Sequence, residues 1–483
     1  MDNETMRAAN PAGETTPAPD AQSAAPAPLL RNGAYTDEYF AIMEELGGDI
    51  AGRRAARAYM QQSTAIVHHR VVESSFVPRL YDARTRRIMR ETVETTHRIL
   101  VKVIEHYLAD PDYRTIFDYD PRLAELILLP RGYDTVLPFA RFDIFLNEDT
   151  GDVAFCEFNG DGSSGMNENR EITHSVEGSA TFRAFSQRHR VEPCELFDAW
   201  VSDFVGIYRT YDHQVEQPRF AICDYLENGV VDEFHLFAQK FTDAGYPCTV
   251  CDVRALTFDG EVLRDEQGEP VHAIWRRCVT NDVLEHWDES QALIDAVRAE
   301  KVALIGSFAG HIVHDKQICE ALFNPKTQAF LTPEEIAFVE RTVPQTRFLD
   351  AAEVDLDAIR ADKDAWIIKP TDAYGAADVY AGCFVDEAQW NELIDRFANG
   401  AAGAPFLVQR YITPYKTRTL PPDEGIEDTD DAFVPREAAL YNNLEGLYCY
   451  NGRFQGVFSR LGPYPTISKP MKGITAATIF VED

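Results

Sequence analysis

The chain has 483 residues, of which 45% are hydrophobic and 11% aromatic, enough for two or three packed domains of about 100 to 200 residues each. Its formal net charge of −33 argues against nucleic acid or an anionic membrane as a partner, because phosphate binding needs lysine and arginine. Nine irregularly spaced cysteines, the absence of a basic and apolar leader, and the absence of long apolar runs predict a reducing, cytoplasmic location and no membrane span.

Two segments stand out near the start of the chain. Residues 1–28 consist mainly of Ala, Pro, Thr and Ser, with too few large apolar side chains to offset chain entropy, which predicts a disordered tail. Between Asp82 and Leu108 apolar residues such as Val93 and Leu100 recur at helical spacing. This spacing predicts a long amphipathic helix with a structural role.

The segment FARFDIFLNEDTGDVAFCEFN, residues 139–159, predicts a β-hairpin. Residues 149–151 suit a three-residue loop in which Gly151 adopts the left-handed conformation. That loop predicts three opposed pairs, which are Glu148 with Asp152, Asp143 with Glu157, and Arg141 with Asn159.

The two-residue period of a strand divides this hairpin into two faces. The core face is predicted to carry Phe142, Ile144, Leu146, Ala154, Cys156 and Phe158. The other face is predicted to carry Arg141, Asp143, Phe145, Phe155, Glu157 and Asn159. On it two carboxylates oppose each other, which is unfavourable unless a cation separates them. Asp143, Glu157 and Asn159 offer the oxygen ligands that Mg²⁺ prefers, so this face is predicted to bind magnesium. The alternative is that Arg141 forms ion pairs with both acids on a solvated face.

The hairpin is followed by the sequence GDGSSG, residues 160–165, which matches the dinucleotide pattern G-x-G-x-x-G. A dinucleotide site also needs a helix that begins within the pattern, but MNENREITHSVEG lacks an apolar stripe. Glu157 and Asp161 would moreover repel a pyrophosphate. We therefore favour a loop that exposes backbone N–H groups and the Ser163 and Ser164 hydroxyls to a carboxylate substrate, with an ordinary flexible loop as the alternative.

Residues 219–306 alternate short apolar runs with helical patterns such as EFHLFAQKFTDAG, which predicts an α/β unit with parallel strands. The only C-x-x-C, at Cys248 and Cys251, has no second pair and is better explained as part of a buried strand. Further on, HDKQICEALF predicts a helix, AWIIKP and PFLVQRYI predict strands, and Asn451-Gly452 predicts a type I′ hairpin turn.

The sequence contains no Walker phosphate-binding loop, but another segment could bind phosphate. Lys369 ends a predicted strand and is followed by small residues that include Gly375, so the loop could close over a triphosphate. Lys316 lies at a predicted helix start. Either lysine taken alone could be an ordinary surface residue.

Together these segments resemble the ATP-grasp synthetase domain of glutathionylspermidine synthase over roughly residues 100–483. The resemblance is carried by Arg141-x-Asp143, Glu157-x-Asn159, Lys316, the Lys369-Pro370 strand with its loop, Gln409 and Arg460. In ordinary ATP-grasp enzymes the metal residues follow the nucleotide lysines, whereas here they precede them, as in the circularly permuted branch of the fold. The amidase domain of the bifunctional enzymes is missing, the serine-rich substrate loop is altered, and Leu461 stands where the family has an acid.

The resemblance implies a role for each matching residue. Asp143, Glu157 and Asn159 would hold Mg²⁺, in two ions, and Arg141 would contact the transferred phosphate. ATP would bind through Lys316, Lys369, Gly375 and Gln409, the last at a hinge near adenine, and Arg460 would be a late active-site arginine.

The fold that this implies is a mixed α+β or α/β chain, a circularly permuted ATP-grasp fold with an additional Rossmann-like lobe. The predicted division is a tail at 1–28, a helical and metal-binding part at 29–215, the pre-ATP-grasp lobe at 216–310, and the nucleotide-binding part at 311–483. The implied activity is ATP-dependent, ADP-forming ligation of a small carboxylate to an amine, such as a peptide and a polyamine, through an acyl phosphate. The alternatives are a small-molecule kinase, a non-catalytic ATP-binding protein, and an NAD-dependent oxidoreductase supported only by the glycine pattern.

Overall fold

The computed structural model describes residues 30–67, 69–227, 229–372, 378–423, 434–468 and 471–482. The predicted tail at 1–28 lies outside these residues. The first described elements are α1 (Asn32–Glu45), α2 (Ile50–Gln62), β1 (Ile66–Val67), β2 (Arg70–Val71), β3 (Arg79–Asp82), α3 (Ala83–Ala109), α4 (Pro111–Arg114) and α5 (Pro121–Ile127). Helix α3 confirms the predicted long helix, which Asp82 caps by accepting from the Thr85 N–H at 2.6 Å. Among the described residues, no helix has both the length and the apolar character that crossing a membrane requires.

The next part of the chain begins with the predicted hairpin and continues through three helices. Its elements are β4 (Phe139–Leu146), β5 (Val153–Asn159), α6 (Met166–Glu177), α7 (Ala180–Arg188), β6 (Arg190–Pro193) and α8 (Phe197–Tyr208). Helix α6 corrects the expectation that the segment after the glycines is too polar for a packed helix. The buried side of α6 is largely polar and includes Asn167, Glu171 and Thr173. Each of these side chains makes a hydrogen bond, which offsets the cost of burying it.

The α/β unit follows. Its elements are β7 (Phe220–Asp224), α9 (Val231–Asp243), β8 (Cys248–Asp252), β9 (Thr257–Phe258), β10 (Leu263–Arg264), β11 (Ala273–Arg276), α10 (Thr280–Glu285), α11 (Gln291–Arg298) and β12 (Ala303–Ile305). Strands β12, β11, β7 and β8 lie side by side and are all parallel, which confirms the prediction. The C-x-x-C segment is the strand β8, as expected, but this strand lies at the edge of the sheet and is mostly half-buried, with only Cys251 fully buried.

The last third of the chain carries the predicted nucleotide-side segments. Its elements are α12 (His311–His314), α13 (Gln317–Ala321), α14 (Pro325–Gln328), α15 (Pro333–Thr342), β13 (Thr346–Phe348), α16 (Leu356–Ala361), β14 (Trp366–Pro370), β15 (Tyr380–Ala381), α17 (Glu387–Phe397), β16 (Phe406–Arg410), β17 (Lys416–Thr419), β18 (Ala439–Tyr450), β19 (Arg453–Gly462), β20 (Ile474–Ala476) and β21 (Thr478–Glu482). Strands β14 and β16 confirm AWIIKP and PFLVQRYI. The helix predicted for HDKQICEALF is only α13, because Asp315 is extended and separates it from α12. Asn451 and Gly452 both have positive φ, as a type I′ turn requires.

Two antiparallel sheets frame the centre of the molecule. The central sheet has the order β20-β19-β18-β4-β5, with β17 also paired to β18. The second sheet has the order β13-β16-β14-β15. A smaller sheet, β3-β21-β6, joins the last strand of the chain to the N-terminal region.

The core fixes the central sheet from both sides. Leu100 and Val103 of α3 pack with Phe142 and Leu447 in one apolar cluster. On the other side, an aromatic cluster that includes Phe139, Trp200, Trp275 and Tyr450 connects the central sheet to the parallel sheet. The hairpin of charged residues is therefore mounted on a rigid, deeply packed support.

Candidate active site

A cleft lies between β5, β14, β16 and the segment after β19. Its empty space amounts to about 910 Å³, which includes solvent at its open mouth. Five residues singled out from the sequence line it, although they come from five separate segments: Glu157, Lys316, Lys369, Gln409 and Arg460. Its other walls are mainly apolar, including Ile367, Ile412 and Leu444. A mainly apolar cleft with a few convergent charges has the composition of a small-molecule site.

The hairpin has the predicted register at its active-site end, although its turn differs. Asp143 lies opposite Glu157, and Arg141 lies opposite Asn159. The loop, however, is one residue longer than expected, because Asn147 rather than Glu148 pairs with Asp152 (Asn147 N to Asp152 O, 2.9 Å). A β-bulge between the Glu157 and Phe155 pairs absorbs the difference.

The bulged residue is Cys156, and it changes which side chains face the cleft. Phe155 packs against Phe158 in the core, with ring centroids 4.6 Å apart, and also lines the cleft beside Glu157. Cys156 was expected in the core but lines the cleft, and its carbonyl accepts a hydrogen bond from Lys369 Nζ at 3.3 Å. A bulge that redirects a group next to a functional cleft is a common use of this feature.

Glu157 is surrounded by positive charge. Burial raises its pKa, but Lys316, Arg460, Lys369 and Arg141 together overcome burial and lower the pKa of Glu157 to about 2. The carboxylate is therefore ionised at neutral pH.

Asp143 is fully buried, and both of its carboxylate oxygens accept from arginine. Arg141 Nε donates to Oδ1 at 2.8 Å, and Arg460 donates to Oδ2. Both guanidinium groups also lie over the Phe458 ring, at 5.4 and 5.7 Å from its centroid. Of the two predicted acids, Asp143 is therefore the one that pairs with Arg141, and Glu157 is the one that lines the cleft.

Lys369 and Gln409 form a pair on neighbouring strands. Lys369 Nζ donates to Gln409 Oε1 at 2.8 Å, and Gln409 Nε2 donates to Thr346 Oγ1 at 2.8 Å. Lys316 is at the start of α13, as predicted, and its backbone N–H donates to the Thr371 carbonyl at 2.8 Å, so both lysine segments are joined beside the cleft. Gly375 lies outside the described residues.

The glycine loop anchors the hairpin to the α/β unit. The Cα of Gly160 lies so close to residue 310 that an added Cβ would be 2.5 Å from the Gly310 carbonyl oxygen. Asp161 is buried and pairs with Arg276 at 2.5 Å, while Thr280 donates to it from both its N–H and its hydroxyl. Since β5 is moreover the edge strand of an antiparallel sheet, this arrangement differs from a dinucleotide-binding unit, in which the strand belongs to a parallel sheet.

The two serines of this loop contribute mainly to the loop's own structure. The Ser163 hydroxyl donates to the Asn159 carbonyl at 3.2 Å. The Ser164 carbonyl accepts from Arg141 at 2.8 Å and from the Tyr448 hydroxyl at 3.0 Å. The loop is thus tied to the same arginine that holds Asp143.

The N–H groups that follow the loop already bind a carboxylate of the chain itself. Glu233 of α9 accepts from the Asn167 N–H at 2.9 Å and from the Gly165 N–H at 3.3 Å, and its other oxygen contacts Arg277 at 3.3 Å. Sequence reasoning does not identify Glu233, because its partners are far away in the chain. Residues 465–468, which line the cleft, are likewise missed because they carry no motif.

Comparisons with known proteins give a likeness of fold. No family model and no curated protein matches the sequence. A glutathione synthetase-like effector from Globodera pallida superposes with a TM-score of 0.58 at 8% identity, covering 89% of this chain and 96% of that chain. A candidate γ-glutamylcysteine synthetase from Methylobacillus flagellatus, at 13% identity, covers 78% of this chain and 84% of its own, but its TM-score of 0.39 is too low to carry an argument. The chain therefore shares the mixed α/β fold of a glutathione synthetase-like protein.

Proposed function

We propose that this protein is an ATP-dependent ligase that joins a carboxylate to an amine through an acyl phosphate. The observation that carries the proposal is the convergence of Glu157, Lys316, Lys369, Gln409 and Arg460 on one cleft from distant parts of the chain. The fold shared with a glutathione synthetase-like protein is compatible with this activity. The resemblance to glutathionylspermidine synthase and the circular permutation belong to the same proposal. In it, residues 29–215 hold an N-terminal helical region and the metal-binding part of the ATP-grasp domain, 216–310 form the additional lobe, and 311–483 form the nucleotide-binding part.

The proposed reaction has two steps. A carboxylate oxygen of the substrate attacks the γ-phosphorus of ATP, the bond to the β–γ bridging oxygen breaks, and ADP leaves. The amine nitrogen then attacks the acyl carbon, phosphate leaves with the carbon–oxygen electron pair, and the nitrogen loses a proton. Positioning and charge stabilisation provide most of the acceleration, so no protein nucleophile is needed.

The cations around the cleft have separate tasks in this proposal. Lys369 and Lys316 bind the phosphates of ATP, while Gln409 lies beside the adenine.

Arg141 and Arg460 are held by Asp143 and offset the negative charge on the transferred phosphoryl group. The loop with Ser163 and Ser164 is the proposed boundary of the carboxylate site.

The donor set on the hairpin fits Mg²⁺ because it consists of oxygen ligands. Glu157 and Asn159 are the residues that would hold the metal. Asp143 could join them only if Arg141 moves away, since Arg141 donates to both of its oxygens and Arg460 donates to Oδ2 as well. When bound, Mg²⁺ would neutralise charge on the phosphate oxygens.

The proposed location is a reducing, cytoplasmic compartment. All nine cysteines are free thiols. Burial raises the pKa of several of these thiols, and it raises the pKa of Cys156 to about 11. Such thiols are poor nucleophiles at neutral pH, and this agrees with a structural role.

The test is ADP release from the purified protein with Mg²⁺ and ATP across a panel of small carboxylates and amines, with mass spectrometry of the products. We expect an amide product that requires both substrates and a loss of at least about a hundredfold in turnover for Glu157→Gln, because the substitution removes a charge that the site orients. The matched control is Glu289→Gln, on a partly exposed residue that pairs with His286.

Three results would contradict the proposal in different ways. A phosphorylated product without amide would indicate a kinase instead. Unchanged turnover in Glu157→Gln would remove this residue from the metal site. Binding of NAD without Mg²⁺-dependent ATP binding would favour the oxidoreductase.

A further inference from the structure

A cluster of histidine and aspartate residues lies outside the proposed ATP site. It comprises His311 of α12, Asp315 directly after this helix, and Asp372, two residues after the strand that carries Lys369, together with His314 of α12, which faces Asp372. One potential ligand atom from each of His311, Asp315 and Asp372 lies within 4.8 Å of the others. This cluster thus joins the two segments that carry the proposed nucleotide lysines.

Two distances within the cluster are close to the spacing of ligands around one metal ion. His311 Nε2 lies 3.5 Å from Asp372 Oδ2, and His314 Nε2 lies 3.9 Å from Asp372 Oδ1. Two ligands at about 2.1 Å from a tetrahedral Zn²⁺ are about 3.4 Å apart. The atoms are thus slightly too far apart for hydrogen bonds and close to the separation that a shared ion imposes.

His311 provides a second, independent observation. Its side chain is fully buried, and neither ring nitrogen makes a hydrogen bond to any residue that the structure describes. A buried polar group without a hydrogen bond is costly, and its presence calls for an explanation. The Tyr119 hydroxyl is also buried and has no hydrogen-bond partner among the described residues, and its ring packs edge-on against His311.

The surroundings of His311 resemble the support that metal-binding histidines have. Its Nδ1 faces Asp161 Oδ2 at 3.8 Å, on the side away from Asp372. Asp161 is itself held by Arg276 and Thr280. Metal-ligating histidines usually direct the second nitrogen at such a carboxylate. Asn281 donates to Asp372 and completes the outer contacts.

Charge also favours a cation at this position. Among the described residues, Asp372 has its ion pairs with the two histidines, and Asp315 accepts only from Gln317, at 2.8 and 3.1 Å. Asp372 is partly exposed, so an ion could enter from solvent.

We propose that His311, His314, Asp315 and Asp372 form a binding site for a divalent transition-metal ion of the zinc class, distinct from the proposed Mg²⁺ site. Imidazole nitrogens combined with carboxylate oxygens suit such an ion. The bound ion would connect the Lys316 segment, the start of the Lys369 loop and, through Asp161, the glycine loop. Its role is structural, because it would hold these three segments in their relative positions.

The experiment measures Zn²⁺ binding to the metal-stripped full chain by competition with a chromophoric chelator, and the visible spectrum after Co²⁺ loading. We expect one ion per chain and the intense d–d bands of a tetrahedral site. His314→Gln and Asp372→Asn are the test variants because neither side chain is fully buried, and each should weaken binding at least about tenfold. His286→Gln, which changes a partly exposed histidine elsewhere, should bind like the wild type.

Two further measurements keep the result interpretable. Near-ultraviolet circular dichroism of the metal-free variants should match the metal-free wild type, so that weaker binding reflects lost ligands rather than misfolding. Zn²⁺ should also raise the unfolding temperature of the wild type but not of Asp372→Asn. Glu157→Gln should bind Zn²⁺ normally, so this proposal can fail or succeed independently of the ligase.

The proposal is overturned if the wild type binds no Zn²⁺ above the level of a histidine on an open surface. It is equally overturned if folded His314→Gln and Asp372→Asn both bind Zn²⁺ as tightly as the wild type. In either case the cluster would be a buried network of ion pairs alone.

Discussion

Lys369 is one of the cations that keep Glu157 ionised, and its own contacts are few. It is held by Gln409 and by the Cys156 carbonyl, in a wall of the cleft. A charged hydrogen bond contributes about 1.5–3 kcal/mol, so Lys369→Met is expected to weaken Mg²⁺-ATP binding by about ten- to a hundredfold. Isothermal titration calorimetry measures this change. Lys326→Met, on an exposed lysine that contacts Asp112, is the control, and equal affinities in both variants would exclude a phosphate contact by Lys369.

Glu445 is a buried acid on β18 with an unusual protonation state. Burial, set against the opposing effect of Arg79, raises its pKa to about 7, and its Oε2 has no hydrogen-bond partner in the part of the chain that the structure describes. The pKa of Glu445 in the unfolded chain is near 4.5. Between about pH 4.5 and pH 7 the folded chain therefore keeps a proton on Glu445 that the unfolded chain has lost. Glu445 consequently destabilises the fold increasingly as the pH rises through this range.

The stability of Glu445→Gln should therefore depend less on pH than that of the wild type. Relative to the variant, the wild type should lose roughly 3 kcal/mol of unfolding free energy between about pH 4 and pH 8. Urea titrations across this range measure the difference. Glu261→Gln, whose side chain is 79% exposed, should follow the wild type, and parallel curves for wild type and Glu445→Gln would contradict the prediction.

At the scale of elements, the glycine loop is defined by its contact with the start of α12. A methyl group at Gly160 would lie 2.5 Å from the Gly310 carbonyl oxygen and 2.8 Å from Val313 Cβ, and neither atom can move easily. Gly160→Ala should therefore cost about 1–3 kcal/mol of unfolding free energy, measured by urea denaturation. Gly206→Ala, in α8 with open space around it, should be neutral or stabilising by about 0.5–1 kcal/mol. Equal stability of the two variants would mean that the loop separates from α12 without cost.

In the hairpin β4–β5 the turn, the bulge and the strand pairing together determine where the site residues lie. The turn has one residue more than expected, yet the bulge at Cys156 restores the opposed pairs Asp143–Glu157 and Arg141–Asn159, of which Glu157 lines the cleft. The bulge also turns the Cys156 carbonyl toward Lys369. Backbone irregularity in one strand thus positions a lysine from a different sheet.

At the scale of the whole molecule, a net charge of −33 repels itself in the folded state. Raising KCl from about 0.02 M to about 0.5 M shortens the Debye length from roughly 20 Å to below 5 Å and screens this repulsion. We expect the urea midpoint of unfolding to rise with salt, because the compact state concentrates the charge more than the unfolded chain does. Sucrose at equal osmolality separates screening from exclusion effects. A midpoint that falls with KCl would show that attractive ion pairs outweigh the net repulsion.

Local patterns in the sequence determine much of the secondary structure. Helical spacing identifies α3, alternation identifies β4 and β5, and Asn451-Gly452 identifies a type I′ turn, because each depends on residues close together in the chain. The pairs Asp143–Glu157 and Arg141–Asn159 are also local, since they follow from one hairpin.

Only the tertiary structure decides which distant groups complete these elements. Asp143 is paired with Arg460, 317 positions away, and the polar helix α6 is stabilised by Glu233 from another part of the fold. The same holds for His311, which faces Asp161 and Asp372 across separate segments. Spacing and periodicity extend over a few residues, whereas burial and charge compensation depend on the packing of the complete chain. For this reason the sequence determined which strands and candidate residues exist, and only the fold decided how their charges are combined.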